Sequence, residues 1–541
     1  MVELFERSAH AAGKAPLIDF LGRHFSYAET LDGANRVAAG LQALGYGPGD
    51  RIGLFLPNVP HYLAAYYGIL KIGATVVNFS PLYTVAELEH QVADSGTRVL
   101  FTLSASALLP TALKVLDGSG LERLIVGSIA GALPSAKSIL YRLFKRAEVT
   151  PRPHDPRVIA FSHLIANDGQ YTPATIDPER DVALIQYTGG TTGVPKGAAL
   201  THQNLSANAR QVMGIDPHPG PPDRILGVLP LFHVFANTCV LNRTVLNGGC
   251  IVMLPRFEAG AVLAAIGRTK ATALPGVPTM YQALLDHPKI TSTDFSSLRI
   301  CISGGAPLAA ELKAKFEKVT GAAVVEGYGL SESSGVLSAN PYEGEGKTGT
   351  IGQPIPGTRL RLVDKADPTQ DPPAGEPGEI VAMGPQIMQG YWHRPDADAE
   401  VFLTTEEGRW LRTGDVGTID ADGFVRIVDR LKDMIAVSGF KVFPSQIEAV
   451  LHHHPAVKEA MVIGLPDPYR GEQPRAYVTL NEGADVTPEA LRDWLNPQLG
   501  RHERVDAVVI RLTMPKTMIG KLSRKDLIAE VKAESDPPPS A

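Results

Sequence analysis

From Ser26 to Gly127 the chain repeats one pattern, in which helical segments alternate with short, unbroken apolar runs. SYAETLDGANRVAAGLQAL (26–44) has Ser26 at the N-cap, Glu29 completing a capping box and Gly45 as a stop. RIGLFLP (51–57), TVVNF (75–79), RVLFT (98–102) and LERLIVG (121–127) are apolar along their length, and a helix through HYLAAYYGILKIG (61–73) joins the first two. Strands of this kind are buried on both faces, which belongs to parallel sheets covered by helices. No fixed-period repeat is present, so a solenoid is excluded.

At 541 residues the chain holds about three to four domains' worth of sequence. With 44% apolar and 20% charged residues it is neither disordered nor a charged tail. The 53 glycines and 43 prolines point to a loop-rich protein. A net charge of −6 argues against nucleic acid as a partner. Cys239, Cys250 and Cys301 are far apart and sit beside apolar residues, as reduced thiols of a cytosolic protein do. The first residues lack a secretory h-region, and the longest apolar stretch, 59–79, is interrupted by His61 and Lys71. A soluble, cytoplasmic protein is expected.

The last hundred or so residues change character. An Asp422–Gly423 turn makes a hairpin, and DRLKDMI (429–435) follows. Ser445 then reads as an N-cap with Glu448 completing its box, and strands follow at EAMVIGL (459–465) and RAYVTL (475–480). Thr487 and Pro488 open another helix, and VDAVVIRL (505–512) closes the pattern. The domains expected are 1–430 and a small α+β unit, 431–541, with a disordered tail at 534–541.

Four motifs carry chemistry. In YTGGTTGVPKG (187–197) an apolar strand enters a stretch holding Thr188, Gly189, Gly190, Thr191, Thr192, Gly193 and Lys196, and GAALT continues as a second strand. Small residues let backbone N–H groups converge on an anion, hydroxyls add donors, and the lysine adds charge. Pro195 excludes the Walker spacing. EGYGLSES (326–333) offers Tyr328 as an aromatic face for a purine, and Ser331 and Glu332 as oxygen donors for Mg²⁺. In RTGD (412–415) and DRLKDMI, Asp415 suits a pair of ribose hydroxyls and Arg430 suits the same sugar. In MPKTMIGKLSRKDL (514–527), Gly520 and Lys521 precede a helix that Ser523 caps; the alternative is a basic surface helix through Lys516, Lys521, Arg524 and Lys525.

The four motifs together resemble, in order, the signatures of the adenylate-forming superfamily of acyl-CoA synthetases, luciferases and peptide-synthetase adenylation domains. Glycine at 189, where many members have serine, resembles the long-chain fatty acyl-CoA ligases, and Ser331 stands where threonine is commoner. The resemblance implies an α/β fold: a large domain of helix-covered, mainly parallel sheets plus a β-barrel-like part, and a small mobile α+β domain. It implies Gly304, Gly305 and Ala306 (in SGGAPL), with Glu326, Gly327, Tyr328 and Gly329, around the adenine. Ser331 would meet phosphate, Glu332 and Thr191 the metal, and Asp415 and Arg430 the ribose. Lys521, Lys196, Glu332 and His233 would serve catalysis, Lys432 the hinge, and Gly439 the pantetheine arm of CoA. His233 also reads as a buried structural histidine. His452–His454 face different ways on a helix and suit its C-terminus better than a zinc ion.

The implied activity is a long-chain fatty acid–CoA ligase that consumes ATP with Mg²⁺ and then CoA. Two alternatives stay open: a ligase for medium-chain or aromatic acids, and an inactive nucleotide-binding fatty-acid carrier. The oligomeric state, monomer or homodimer, is not fixed. LPSAKSILYRLFKR (133–146) gathers Ile139, Leu140, Leu143 and Phe144 on one helical face among basic residues. It suits either a peripheral seat on the inner face of the membrane or packing on its own domain.

Overall fold

The computed structural model describes residues 1–188, 195–217, 220–344, 346–438, 440–517 and 521–535. The chain forms two compact units: residues 1–359 with 383–400, and residues 360–382 with 401–541.

In the first unit, the apolar runs form an eight-stranded sheet. Its order is Gly390–Tyr391, Lys196–Thr201, Val182–Thr188, Thr75–Asn78, Arg51–Leu54, Thr97–Leu103, Arg123–Gly127, Val158–Ala160. All pairs are parallel from Val182–Thr188 onward, and the first two strands are antiparallel additions. The helix Tyr27–Ala43 starts on the expected Ser26–Glu29 capping box, a device worth about 1 kcal/mol. Pro60–Lys71 is apolar nearly all round because it is buried nearly all round. Lys71, buried near its end, is neutralised by Glu6 and bonds the Tyr171 hydroxyl at 3.2 Å. Among the described residues no helix is long and apolar enough to cross a membrane.

A second, nine-stranded sheet has a parallel core running through Ile300–Ser303 and Ala323–Tyr328. Its other core strands are Pro16–Phe20, Arg224–Gly227, Cys250–Met253 and Ala273–Gly276. Asn58 and Tyr62 reach from the first sheet's side to backbone carbonyls of Gly227, Leu229 and Leu231. All three cysteines are buried and free, and burial pushes the Cys239 and Cys250 thiols up to about 12.

In the second unit, the barrel-like part takes the form of an antiparallel sheet of Arg359–Val363, Gly378–Met383, Gly408–Ile419 and Phe402–Thr405, with Val425–Arg430 paired to Gly408–Ile419. The Asp422–Gly423 turn is the expected hairpin, with Gly423 at φ +80. The last sheet pairs Val457–Asp467 with Gly471–Leu480 over ten residues and adds Val508–Ile510 in parallel. Thr487 caps Pro488–Leu495 as expected. Ser445 does not cap its helix. Pro444, with φ already fixed, takes the first helical position, so Pro444–His452 begins two residues earlier than a Ser445 cap would set it. Ser445 instead bonds Asp429, and Glu448 accepts from the Val462 N–H at 2.7 Å. The final helix, Arg524–Ser535, takes in Glu534 and Ser535, where a disordered tail was expected, and 536–541 lie outside the described residues.

Candidate active site

Two strands frame the first motif. Val182–Thr188 and Lys196–Thr201 are antiparallel, with Thr188 and Lys196 directly opposed and the Thr188 hydroxyl 3.4 Å from the Lys196 carbonyl. Gly189, Gly190, Thr191, Thr192 and Gly193, expected to cradle phosphate, lie outside the described residues. Lys196 Nζ stands 3.7 Å from Glu400 and 5.3 Å from the ring centroid of Tyr391.

Tyr391 links this lysine to the second motif, and sequence reasoning missed it. Its hydroxyl donates to Glu332 Oε1 at 2.7 Å. Its strand, Gly390–Tyr391, pairs with Ala198 and Ala199 beside Lys196. Met388 N–H donates to the Glu332 carbonyl at 2.8 Å, and Trp392 N–H to the Gly197 carbonyl at 2.7 Å. One short segment, 388–392, thus stitches the lysine strand to the expected metal ligand. The only sequence signal was a GY pair in MQGYWHRP, without the charge or glycine density that marks a motif.

Glu332 sits in a one-turn helix, Ser331–Ser333, at the end of a tightly packed loop. Gly329 has no room for a side chain, because a Cβ there would lie 2.2 Å from the Gly335 carbonyl oxygen. Thr238 donates to the Ser334 carbonyl at 2.6 Å, and Ser334 to the Gln386 carbonyl at 2.9 Å, fixing the loop from two sides. Gly327 and Tyr328 pair with Ala339 and Ser338.

The residues expected to line the adenine come together across adjacent strands, where Ser303 is the register partner of Glu326. Gly304, Gly305 and Ala306 follow directly, with Gly305 at φ +82. Glu326 faces inward: its carboxylate accepts from the Leu308 N–H at 3.2 Å, and burial raises its pKa to about 7. Its side chain therefore holds the 303–308 turn in place. Phe235 lies against Gly304, 3.0 Å from where a Cβ would be, which brings the His233 segment beside this turn. His233 is half-buried and caps Val234–Ala236, its Nδ1 accepting from the Phe235 N–H at 3.3 Å. That bond assigns the proton to Nε2.

The third and fourth motifs meet in the second unit. Asp415 and Arg430 are cross-strand partners, and Arg430 Nε donates to the buried Asp415 carboxylate at 2.8 Å. Arg412 is occupied elsewhere, on Glu379 at 2.7 Å. Lys521 is largely buried beside this pair; desolvation first, and then the Arg430 charge, bring its pKa down to about 8, against the pull of Asp415. The Lys432 pKa is lowered in the same way, by burial and then by Arg430. Lys521 and Lys432 thus both sense the Arg430 charge and the Asp415 carboxylate, and Lys432 senses Asp433 as well. Lys432 lies in the single turn Leu431–Asp433 that leads from the antiparallel sheet to the last one.

The segment around Lys521 is not a basic surface helix. Lys521 and Thr517 exchange bonds, N–H to carbonyl at 2.6 Å and N–H to hydroxyl at 3.1 Å, and Ser523 caps the following helix as expected. Arg524, a surface cation in that alternative, is drawn inward to Glu448, Asp433 at 2.7 Å and the Val462 carbonyl at 3.0 Å. It thereby ties the lysine's helix to the residue next to Lys432. Gly439 and Gly520 lie outside the described residues. His452 and His453 end their helix, and His454 packs edge-on to Trp494 at 4.8 Å. Among the described residues no cluster of three His, Cys, Asp or Glu forms a metal cage.

Comparison with known proteins shows the family. Residues 5–392 match the AMP-binding enzyme family, and residues 446–521 match the AMP-binding enzyme C-terminal domain. A long-chain-fatty-acid–CoA ligase of Bacillus subtilis is 40% identical over 95% of this chain and 91% of its own. A feruloyl-CoA synthase of an Amycolatopsis species is 36% identical over 96% and 97%. The ATP-bound crystal structure of MatB from Rhodopseudomonas palustris superposes with a TM-score of 0.85, at 28% identity, over 99% of both chains.

Proposed function

The chain belongs to the AMP-binding enzyme family as an adenylate-forming acid–thiol ligase that uses ATP and CoA, and we propose that its acid is a long, unbranched fatty acid. The observation that carries the adenylation chemistry is the grouping of Lys521 and Lys432 with the Arg430–Asp415 pair. A carboxylate and a polyphosphate repel each other, and cationic side chains held nearby offset that repulsion. Fatty acid as the substrate rests on the 40% identity to a long-chain ligase and on the glycine form of the first motif.

In the first half-reaction the fatty carboxylate oxygen attacks the α-phosphorus of ATP, the bond to pyrophosphate breaks, and acyl-AMP forms. Lys196 and the hydroxyls and glycines of 188–193 neutralise the phosphates; Lys521 offsets charge as the carboxylate approaches. Asp415 accepts from the ribose hydroxyls while Arg430 holds it in place. Glu332, steadied by Tyr391, supplies one carboxylate of the kind Mg²⁺ combines with water and substrate phosphates. The bound ion would neutralise developing charge on those phosphates. His233 is assigned to the acid carboxylate on the family resemblance. In the second half-reaction the CoA thiol, losing its proton, attacks the acyl carbonyl and AMP departs.

We place the change between half-reactions at Lys432, where the expected small domain, 431–541, begins, inside the compact unit of residues 360–382 with 401–541. Turning there would exchange the Lys521 segment for the Gly439 segment that serves the pantetheine arm. The test is to supply hexadecanoate with Mg·ATP and withhold CoA. Fatty-acid-dependent pyrophosphate release, followed by acyl-CoA formation on adding CoA, supports the reading; pyrophosphate release that ignores the acid overturns it. The kinship to a feruloyl-CoA synthase favours an aromatic acid as the second reading.

A further inference from the structure

The helix Ser135–Phe144 sits on the first unit with its apolar face outward. At about 100° per residue, Ile139, Leu140, Leu143 and Phe144 share one arc, and Ser138 and Tyr141 lie on the opposite side. The half-buried residues are Ser138 and Tyr141, while Ile139, Leu140, Leu143 and Phe144 are 60%, 53%, 56% and 77% exposed. Five of the nine large apolar side chains exposed among the described residues fall between Ile139 and Val149. On its inner side the helix meets the body through Tyr141, which lines a small cavity with Ser104, Ser128 and Val149; Arg142 also borders that cavity but is itself exposed. The alternative of a helix packed on its own domain by its apolar face is therefore not what forms. An apolar helix face turned to solvent destabilises nothing only if something else covers it.

The charge around the arc says what covers it. From Lys137 to Ala147 there are four basic residues and no acid, in a chain whose net charge is −6. Lys137 is bonded to the Leu21 carbonyl at 2.7 Å and Lys145 is paired with Glu148. Arg142 and Arg146 have no ion-pair partner among the described residues, and they stand beside the apolar arc instead of within it. A second copy of this chain would bring the same cations against these and repel them. A leaflet of anionic phospholipid supplies both an apolar interior for the arc and phosphates for its basic edge.

We propose that Ser135–Phe144 is a membrane-docking helix that lies in the surface of an anionic bilayer, with Ile139, Leu140, Leu143 and Phe144 among the acyl chains and Arg142 and Arg146 on the headgroup phosphates. The helix would hold the enzyme where water-insoluble acids partition, and this last consequence alone rests on the fatty-acid reading above. The docking itself is independent of what the enzyme acylates.

The experiment is co-sedimentation of the full chain with vesicles of phosphatidylcholine, with and without phosphatidylglycerol, at low and high salt. Wild-type protein is expected to bind the anionic vesicles and to be released by salt. Leu143→Ser with Phe144→Ser is expected to weaken binding at least ~10-fold, from the apolar area withdrawn. Arg142→Glu with Arg146→Glu is expected to do so by a similar factor at low salt. Both pairs are exposed, so circular dichroism and activity on a short, fully dissolved acid should match wild type and report separately on the fold and the ligase reading. Wild-type protein that ignores anionic vesicles, or binding that survives both double substitutions, overturns the proposal. So does a dimer in solution that the serine pair dissolves while the protein ignores vesicles.

Discussion

The phenol of Tyr391 donates to Glu332 Oε1 at 2.7 Å while its ring faces the Lys196 ammonium at 5.3 Å. One side chain thus orients both the carboxylate read as the metal ligand and the lysine read as the phosphate partner. Burial and the Glu332 charge raise the phenol's pKa, so it stays a proton donor across the working pH range.

Tyr391→Phe keeps the ring and removes the donor. Groups that orient a metal ligand typically contribute 10- to 100-fold in metal affinity, so the Mg²⁺ concentration for half-maximal adenylation should rise about 10-fold. The ATP KM at saturating Mg²⁺ should change little. A Mg²⁺ titration identical to wild type would remove Tyr391 from the site.

Lys521, with its pKa at about 8, is charged at neutral pH and loses its proton just above it. The ammonium is the active form, so kcat/KM for ATP should fall as pH rises through about 8. Lys521→Ala should slow adenylation ~10²- to 10³-fold and lose that limb of the profile. Synthetic acyl-AMP with CoA should react nearly as in wild type, because pyrophosphate has already left. Equal damage to both steps would make the lysine structural.

Lys432→Pro should give the reverse pattern. A fixed φ in the turn Leu431–Asp433 restricts rotation there, so thioester formation from acyl-AMP should slow while adenylation persists. Single-turnover measurement of each half-reaction checks this, and unchanged thioester formation places the hinge elsewhere.

Glu326, raised to about 7 by burial, makes stability depend on pH. An acid whose folded pKa lies above its unfolded value costs nothing while both states are protonated. The loss grows as pH climbs from about 4.5 to about 7, reaching on the order of 3 kcal/mol. Glu326→Gln keeps an acceptor for the Leu308 N–H and should be more stable than wild type above neutrality, with the gap closing in acid. Urea midpoints across that range test it, and a gap independent of pH contradicts the assigned cause.

The parallel core was legible because strands buried on both faces carry adjacent apolar residues without polar alternation, as Ile52–Leu54, Val76–Val77 and Val99–Phe101 do. Capping at Ser26 and Thr487 was legible because it is local. Ser445 and Glu448 carried the same local signal, but Asp429 and Arg524, distant in sequence, claimed their side chains. Asp415, Arg430 and Lys521 could be named from motifs, whereas their shared cluster depends on register across a hairpin and on the packing of the last helix. Tyr391 left almost no trace, since its role lies wholly in what an antiparallel bridge sets beside it.

The most direct test of the central claim is kcat/KM for acyl-CoA formation across a panel of acids, from octanoate and hexadecanoate to ferulate and benzoate, with Mg·ATP and CoA. A maximum at hexadecanoate, with pyrophosphate and AMP formed in equal amounts, is the expected result. A higher value for ferulate or benzoate than for any saturated chain would contradict a fatty acyl substrate.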